Sequence, residues 1–90
     1  MIVRLVLDTN IVVAALLWDG LPRCLLDRAI DDETIVLYST PTLIDELTHT
    51  LQYPKFLQRI SLYATTPAAL VAQYAALVTL LSPTQVPRII

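Results

Sequence analysis

The segment Ile2 to Leu7 is an unbroken run of Ile, Val and Leu with Arg4 as its only polar member, and it ends at Asp8-Thr9-Asn10. Such a run, without the alternation of a half-exposed strand, is the pattern of a parallel strand covered on both faces. The short polar residues at its end favour a helix N-cap. The chain is therefore expected to turn from strand into helix there, from Ile11 to Leu17. That helix stops near Trp18-Asp19-Gly20, where the only glycine stands.

The same grammar recurs downstream. Pro22 suits the first turn of a second helix running to about Ile30, with Leu25, Leu26 and Ala29 as its apolar stripe. Asp31-Asp32-Glu33 makes a polar connection to a second strand, Thr34 to Tyr38, rich in β-branched and aromatic residues. Ser39-Thr40-Pro41 repeats the start signal for a third helix to about Gln52, and Tyr53-Pro54 breaks it. A short helix from Pro54 to Ile60 follows, and Thr66-Pro67 opens the longest one, to about Leu81, before Ser82-Pro83. The order β-α-α-β-α-α-α implies a parallel sheet with helical crossovers. Two strands do not make a stable sheet, so completion by association is expected, and Val86 to Ile90 resembles the start of a further element.

Ninety residues allow one domain, residues 1–90. The hydrophobic share of 56% and charged share of 16%, against about 25% charged in ordinary domains, exclude disorder and point to exposed apolar surface. A net charge of -2 excludes a global positive field, so any contact with phosphates must be local or metal-mediated. The lone Cys24, a small hydrophobe on a helix face, gives no disulfide framework and fits a reducing cytoplasm. No signal-peptide pattern opens the chain. Residues 60–87 carry no charged side chain, yet Pro67 leaves only Ala68 to Leu81 as a clean apolar segment. That is short of the ~20 residues of a spanning helix; it reads as a core helix or an oligomer contact.

Ligands of parallel sheets bind outside the carboxyl ends of the strands. Asp8 stands at that place after the first strand, and Ser39 and Thr40 after the second. Glu46 lies on the second turn of the third helix, beside the apolar seam of Leu43, Leu47 and Leu51, and can reach back to the same edge. Two carboxylates converging there repel unless a cation bridges them, and Mg2+ or Mn2+ suits carboxylate oxygens. Plainer readings stand beside these: Asp8 as a helix cap, Glu46 as a solvated helix residue, Thr9, Asn10, Ser39 and Thr40 as caps and turns, and His49 as a surface residue. One His and one Cys offer no zinc-ligand spacing. A phosphatase of the haloacid-dehalogenase kind would want an acid two residues after Asp8, where Asn10 stands.

The stretch Ile2 to Trp18, the junction Ser39-Thr40-Pro41-Thr42-Leu43-Ile44-Asp45-Glu46-Leu47 and the element Tyr53-Pro54-Lys55-Phe56 resemble the PIN-domain family, especially its toxin–antitoxin branch. The resemblance implies a three-layer α/β/α fold and a Mg2+- or Mn2+-dependent ribonuclease, a toxin held by a cognate antitoxin protein in the cytoplasm. Asp8 and Glu46 match metal-binding catalytic acids, and Thr9, Asn10 and Ser39 match accessory polar positions. An acid-rich segment that follows in the family does not occur within these ninety residues. The expectation is thus an N-terminal portion with half of an acidic site. Arg23, Lys55, Arg59 and Arg88 are candidates to hold RNA phosphates. The alternative is a non-catalytic half-domain that associates through residues 60–87.

Overall fold

The computed structural model describes residues 2–81. Strand β1 (Val3–Val6) leads into helix α1 (Thr9–Leu17), followed by α2 (Leu21–Asp31), β2 (Ile35–Ser39), α3 (Pro41–Thr50), α4 (Pro54–Leu62), α5 (Pro67–Leu77) and β3 (Thr79–Leu80). The three strands form one parallel sheet in the order β1-β2-β3. Val3 pairs with Ile35 through to Val6 with Tyr38, and Tyr38 and Ser39 pair with Thr79 and Leu80. The turn into β2 is fixed by Asp32, whose Oδ1 accepts from the Thr34 hydroxyl at 2.7 Å and amide at 2.9 Å. Those two donors hold the Asp32 carboxyl below its ordinary value.

The start signals act through side chains at defined places. The Asp8 carboxylate caps α1, and the Thr40 and Thr66 hydroxyls accept from Leu43 and Ala69 to cap α3 and α5. Proline occupies the first turn of α2, α3, α4 and α5, where its missing N–H has no helical partner to lose. The expected α1 therefore starts two residues early, at Thr9, because the cap is Asp8 itself. Gly20 turns the chain between α1 and α2 at φ 137°, a conformation that L side chains rarely adopt, and the two helices meet at 87°.

Two expectations need correction. The last helix ends at Leu77 rather than near Leu81, and a third strand follows. The β-branched pair Val78-Thr79 favours extended backbone, and the free edge of β2 supplies partners: the Leu81 amide donates to the Ser39 carbonyl at 2.8 Å. Strand β1, expected to be covered on both faces, is covered only toward its end. Val3 is 43% exposed while Val6 is fully buried, because β1 is an edge strand among the described residues. Val86 to Ile90 and Arg88 lie outside the described residues. No single helix among those described is long and apolar enough to cross a membrane.

The core is built around α1. Val12, Val13, Ala15 and Leu17 are buried, and Ile11 and Leu16 pack partly buried against the same cluster. A helix apolar on all sides must be enclosed, and α2, α3 and α4 enclose it. Its C-terminal carbonyls, which have no partner within the helix, are met by side chains from elsewhere. Arg59 of α4 donates Nε–H to the Leu17 carbonyl at 2.6 Å, and the Tyr63 hydroxyl donates to the same oxygen at 3.1 Å. The Arg59 guanidinium lies 4.5 Å from the Trp18 ring centroid. Arg23 donates to the Ala15 carbonyl at 3.2 Å while pairing with Asp27 at 3.3 Å.

Arg59→Ala leaves the half-buried Leu17 carbonyl short of a charged donor, so it is expected to lower stability by about 1.5–3 kcal/mol. In a domain of this size that is a fall in Tm of roughly 6–24 °C, read by thermal denaturation; Arg59→Lys should recover only part, and an unchanged Tm would contradict the assignment. Tyr74, 2% exposed, has a hydroxyl with no hydrogen-bond partner among the described residues, and burial pushes its pKa up to about 12. The unfolded chain ionises this phenol near pH 10 and the folded chain does not, so its contribution is intact below pH ~10 and is lost as pH rises towards 12. Tyr74→Phe should therefore lose less stability than the parent between pH 9.5 and 11.5 in urea unfolding, roughly 1.4 kcal/mol less per pH unit.

Candidate functional site

The site begins with the N-cap of α1. Asp8 leaves β1 in extended backbone, φ -71° and ψ 157°, and its Oδ1 accepts from the Asn10 amide at 2.6 Å. One carboxylate oxygen is thereby used for capping and Oδ2 is left over. Thr9, the first residue of α1, donates its hydroxyl to Glu46 Oε2 at 3.2 Å. That bond ties the β1–α1 junction to the second turn of α3, and leaves Glu46 Oε1 over as well. The capping and the chemical readings of Asp8 are thus compatible, because they use different oxygens.

These residues open into one cavity of about 680 Å³, lined by Asp8, Thr9, Asn10, Thr42, Leu43, Asp45, Glu46, His49, Thr50 and Tyr53. That volume lies within the usual ~300–1,000 Å³ of small-ligand sites. Three acids line it, and among the described residues no Lys or Arg does. The positive N-terminal end of α1 is the other fixed charge in the vicinity.

Of the residues expected here, Asp8, Glu46, Thr9 and Asn10 share the cavity. Ser39 does not: it ends β2 at 2% exposure and is absent from the lining. Arg23 and Arg59 are also elsewhere, at the C-terminal end of α1, about 13 Å along a nine-residue helix from Asp8. Lys55 is exposed on α4, its ammonium 5.0 Å from the Phe56 ring centroid.

Thr42 and Thr50 were not singled out from sequence, His49 was read as a surface residue and Tyr53 as part of the break after the third helix, though Thr42, Glu46 and His49 follow one another at spacings of four and three. That is a helix stripe, and Tyr53 stands just past its end as the N-cap of α4. The leucine seam beside it, of which Leu47 and Leu51 are buried, drew attention to the core instead. His49 is fixed by Asp45: Nδ1 lies 2.8 Å from that residue's carbonyl.

The donor set suits a hard cation. Asp8, Glu46 and Asn10 offer oxygens, and Mg2+ is commonly held by one or two carboxylates with waters and substrate phosphates completing its octahedron. A site held wholly by protein is not present: among the described residues no group of three or more His, Cys, Asp or Glu is arranged for a metal. The residues fit one ion shared with a substrate rather than a closed pair of ions.

No curated protein and no solved structure matches the chain. The family model described as PIN domain matches residues 4–89. That span takes in all of the parallel sheet but Val3, the five helices and the three acids of the cavity, and the chain belongs to the PIN-domain family.

Proposed function

We propose that this chain, read as a single PIN-like domain over residues 1–90, is a divalent-metal-dependent ribonuclease, the toxin of a pair whose antitoxin protein restrains it. The PIN domain is a nuclease-type fold and generally depends on a divalent metal. The observation that carries the finer reading is that Asp8 and Glu46, thirty-eight positions apart in sequence, are joined through Thr9 at one open cavity, each with an oxygen to spare.

Asp8 and Glu46 would hold Mg2+ or Mn2+, with Asn10 beside them. Such an ion polarises a phosphodiester and lowers the pKa of a bound water. The chain's own contribution is positioning. The Asn10 amide fixes the Asp8 carboxylate against rotation, and the Thr9 hydroxyl fixes Glu46, so the two acids face a substrate already oriented. The acidic lining opposes entry of a phosphate until a cation is present, which makes binding at the scissile position conditional on the metal.

Asp8→Asn is the informative variant, because Asn caps a helix as well as Asp does and the fold should be unchanged. Cleavage of single-stranded RNA in Mg2+ should fall about 100-fold or more in Asp8→Asn and in Glu46→Gln, and EDTA should abolish it. RNA cleavage that survives EDTA or is indifferent to Asp8→Asn would remove this reading.

A second reading, self-association, is favoured by exposed apolar side chains and an open sheet edge. Leu62 is 79% exposed, Leu21 85%, and Tyr63 and Leu80 just over half, while β1 presents an unpaired edge among the described residues. Within the segment expected to mediate it, Ile60, Leu70 and Tyr74 are core residues, so only its outward half can serve. Size-exclusion chromatography with light scattering is expected to give at least a dimer; a monodisperse folded monomer at micromolar concentration counts against it.

A further inference from the structure

Beyond the carboxylates, the cavity ends in an aromatic residue that the metal chemistry does not use. Tyr53 lies about two helical turns past Glu46, lines the same cavity and is 53% exposed. Its ring is stacked on Phe56, with centroids 6.3 Å apart and planes inclined by 15°. Phe56 is in turn held edge-on by Trp18 at 6.0 Å and 77°. Tyr53 is thus an exposed ring backed by two others, which limits the freedom it would lose on stacking against a ligand. Lys55, next but one in sequence, places an ammonium 5.0 Å from the Phe56 ring and so beside the same stack.

The wall between Glu46 and Tyr53 is polar. The Asp45 carbonyl can only accept, so His49 donates from Nδ1, and Nε2 is left for a ligand. Thr50 adds a hydroxyl. With no Lys or Arg lining the cavity among the described residues, these offer no phosphate track of the usual cationic kind there, and they must hold a ligand at this end by another force. Aromatic stacking is the force the surface offers, and it serves any base that is not already stacked in a duplex.

We infer that Tyr53 is the stacking platform for an unpaired nucleobase of single-stranded RNA lying next to the scissile phosphate, with His49 Nε2 facing its hydrogen-bonding groups and Lys55 its outer phosphate. The inference rests on the ribonuclease reading for its choice of ligand, and it names a subsite that reading leaves open. It explains why a cavity with an acidic floor need not repel the whole strand. The base end is held by stacking, the far phosphate by one lysine, and only the central phosphate requires the cation.

The test measures binding apart from cleavage. Fluorescence anisotropy of a short labelled single-stranded RNA with the full chain in EDTA is compared with the same strand carrying one abasic position, stepped along its length. Tyr53→Ala should weaken binding of the intact strand roughly 5- to 100-fold, and Tyr53→Phe should stay within about twofold. One abasic position should reproduce the loss in the parent and add nothing in Tyr53→Ala. Because Tyr53 is exposed, its variants should melt with the parent, which circular dichroism checks. Equal binding by the parent and Tyr53→Ala, equal losses for Phe and Ala, or a duplex bound as well as a single strand would overturn the subsite. A chain that shows the predicted stacking pattern yet leaves RNA intact in Mg2+ keeps the subsite and loses the nuclease; one that cleaves but ignores Tyr53 does the reverse.

Discussion

A helix with no polar face has to be enclosed on every side, and α1 is such a helix. From Ile11 to Leu17 it contains only Ile, Val, Ala and Leu, and four of its residues are buried outright. Everything placed around it follows from that need. The sheet sits at its start, α2 turns back on it at 87°, and α3 and α4 cover it. The only polar groups α1 can offer are at its ends, four amides at one and four carbonyls at the other. The protein's polar chemistry is accordingly concentrated at two places on opposite sides of the core.

The two ends are treated differently, and the helix dipole gives the reason. The N-terminal end carries partial positive charge and receives acids, with Asp8 as the cap and Glu46 brought in through Thr9. The C-terminal end carries partial negative charge and receives Arg23 and Arg59 with the Tyr63 hydroxyl. Charge in a chain with only six basic residues is scarce, and two of the six are committed to closing α1. This is why those arginines do not reach the cavity. A sequence argument that counts cations without knowing which helix ends are buried assigns them to the ligand by default.

What could be read from sequence was local. The β1–α1 junction at Asp8, the capped start of α3 and the break at Tyr53-Pro54 are each set by a few adjacent residues, and each stands where expected, within two positions. The parallel alternation followed from their order. What was not legible depends on partners distant in the chain. Strand β3 exists because β2 has a free edge, and a two-residue strand, even with β-branched Val78-Thr79 to favour it, is too short a signal to read without that partner. Val3 is exposed because nothing among the described residues pairs outside β1. Ser39 looked like a mouth residue because strand ends usually are, and it is buried instead. Tyr53 was read as a helix breaker's neighbour, and its place at the cavity required knowing that α3 presents Thr42, Glu46 and His49 to the same side.

The cavity's electrostatics then separate two tasks that a more basic protein would merge. An Arg-lined groove binds the strand and orients the phosphate with the same charges, and its affinity falls steeply with salt. Here the acids that would hold a cation also repel the strand, so grip and chemistry cannot come from one set of residues. The stripe along α3 resolves this by distance. Glu46 is bonded into the α1 end, Tyr53 is bonded by stacking into the Trp18–Phe56 cluster at the other, and His49 and Thr50 lie between. Since Trp18 also stacks on Arg59, which closes the C-terminus of α1, the aromatic end of the stripe and the acidic end are anchored to opposite ends of the same helix. Under the proposed function, the spacing between grip and chemistry is therefore set by the length of α1, the element with the most buried residues among those described.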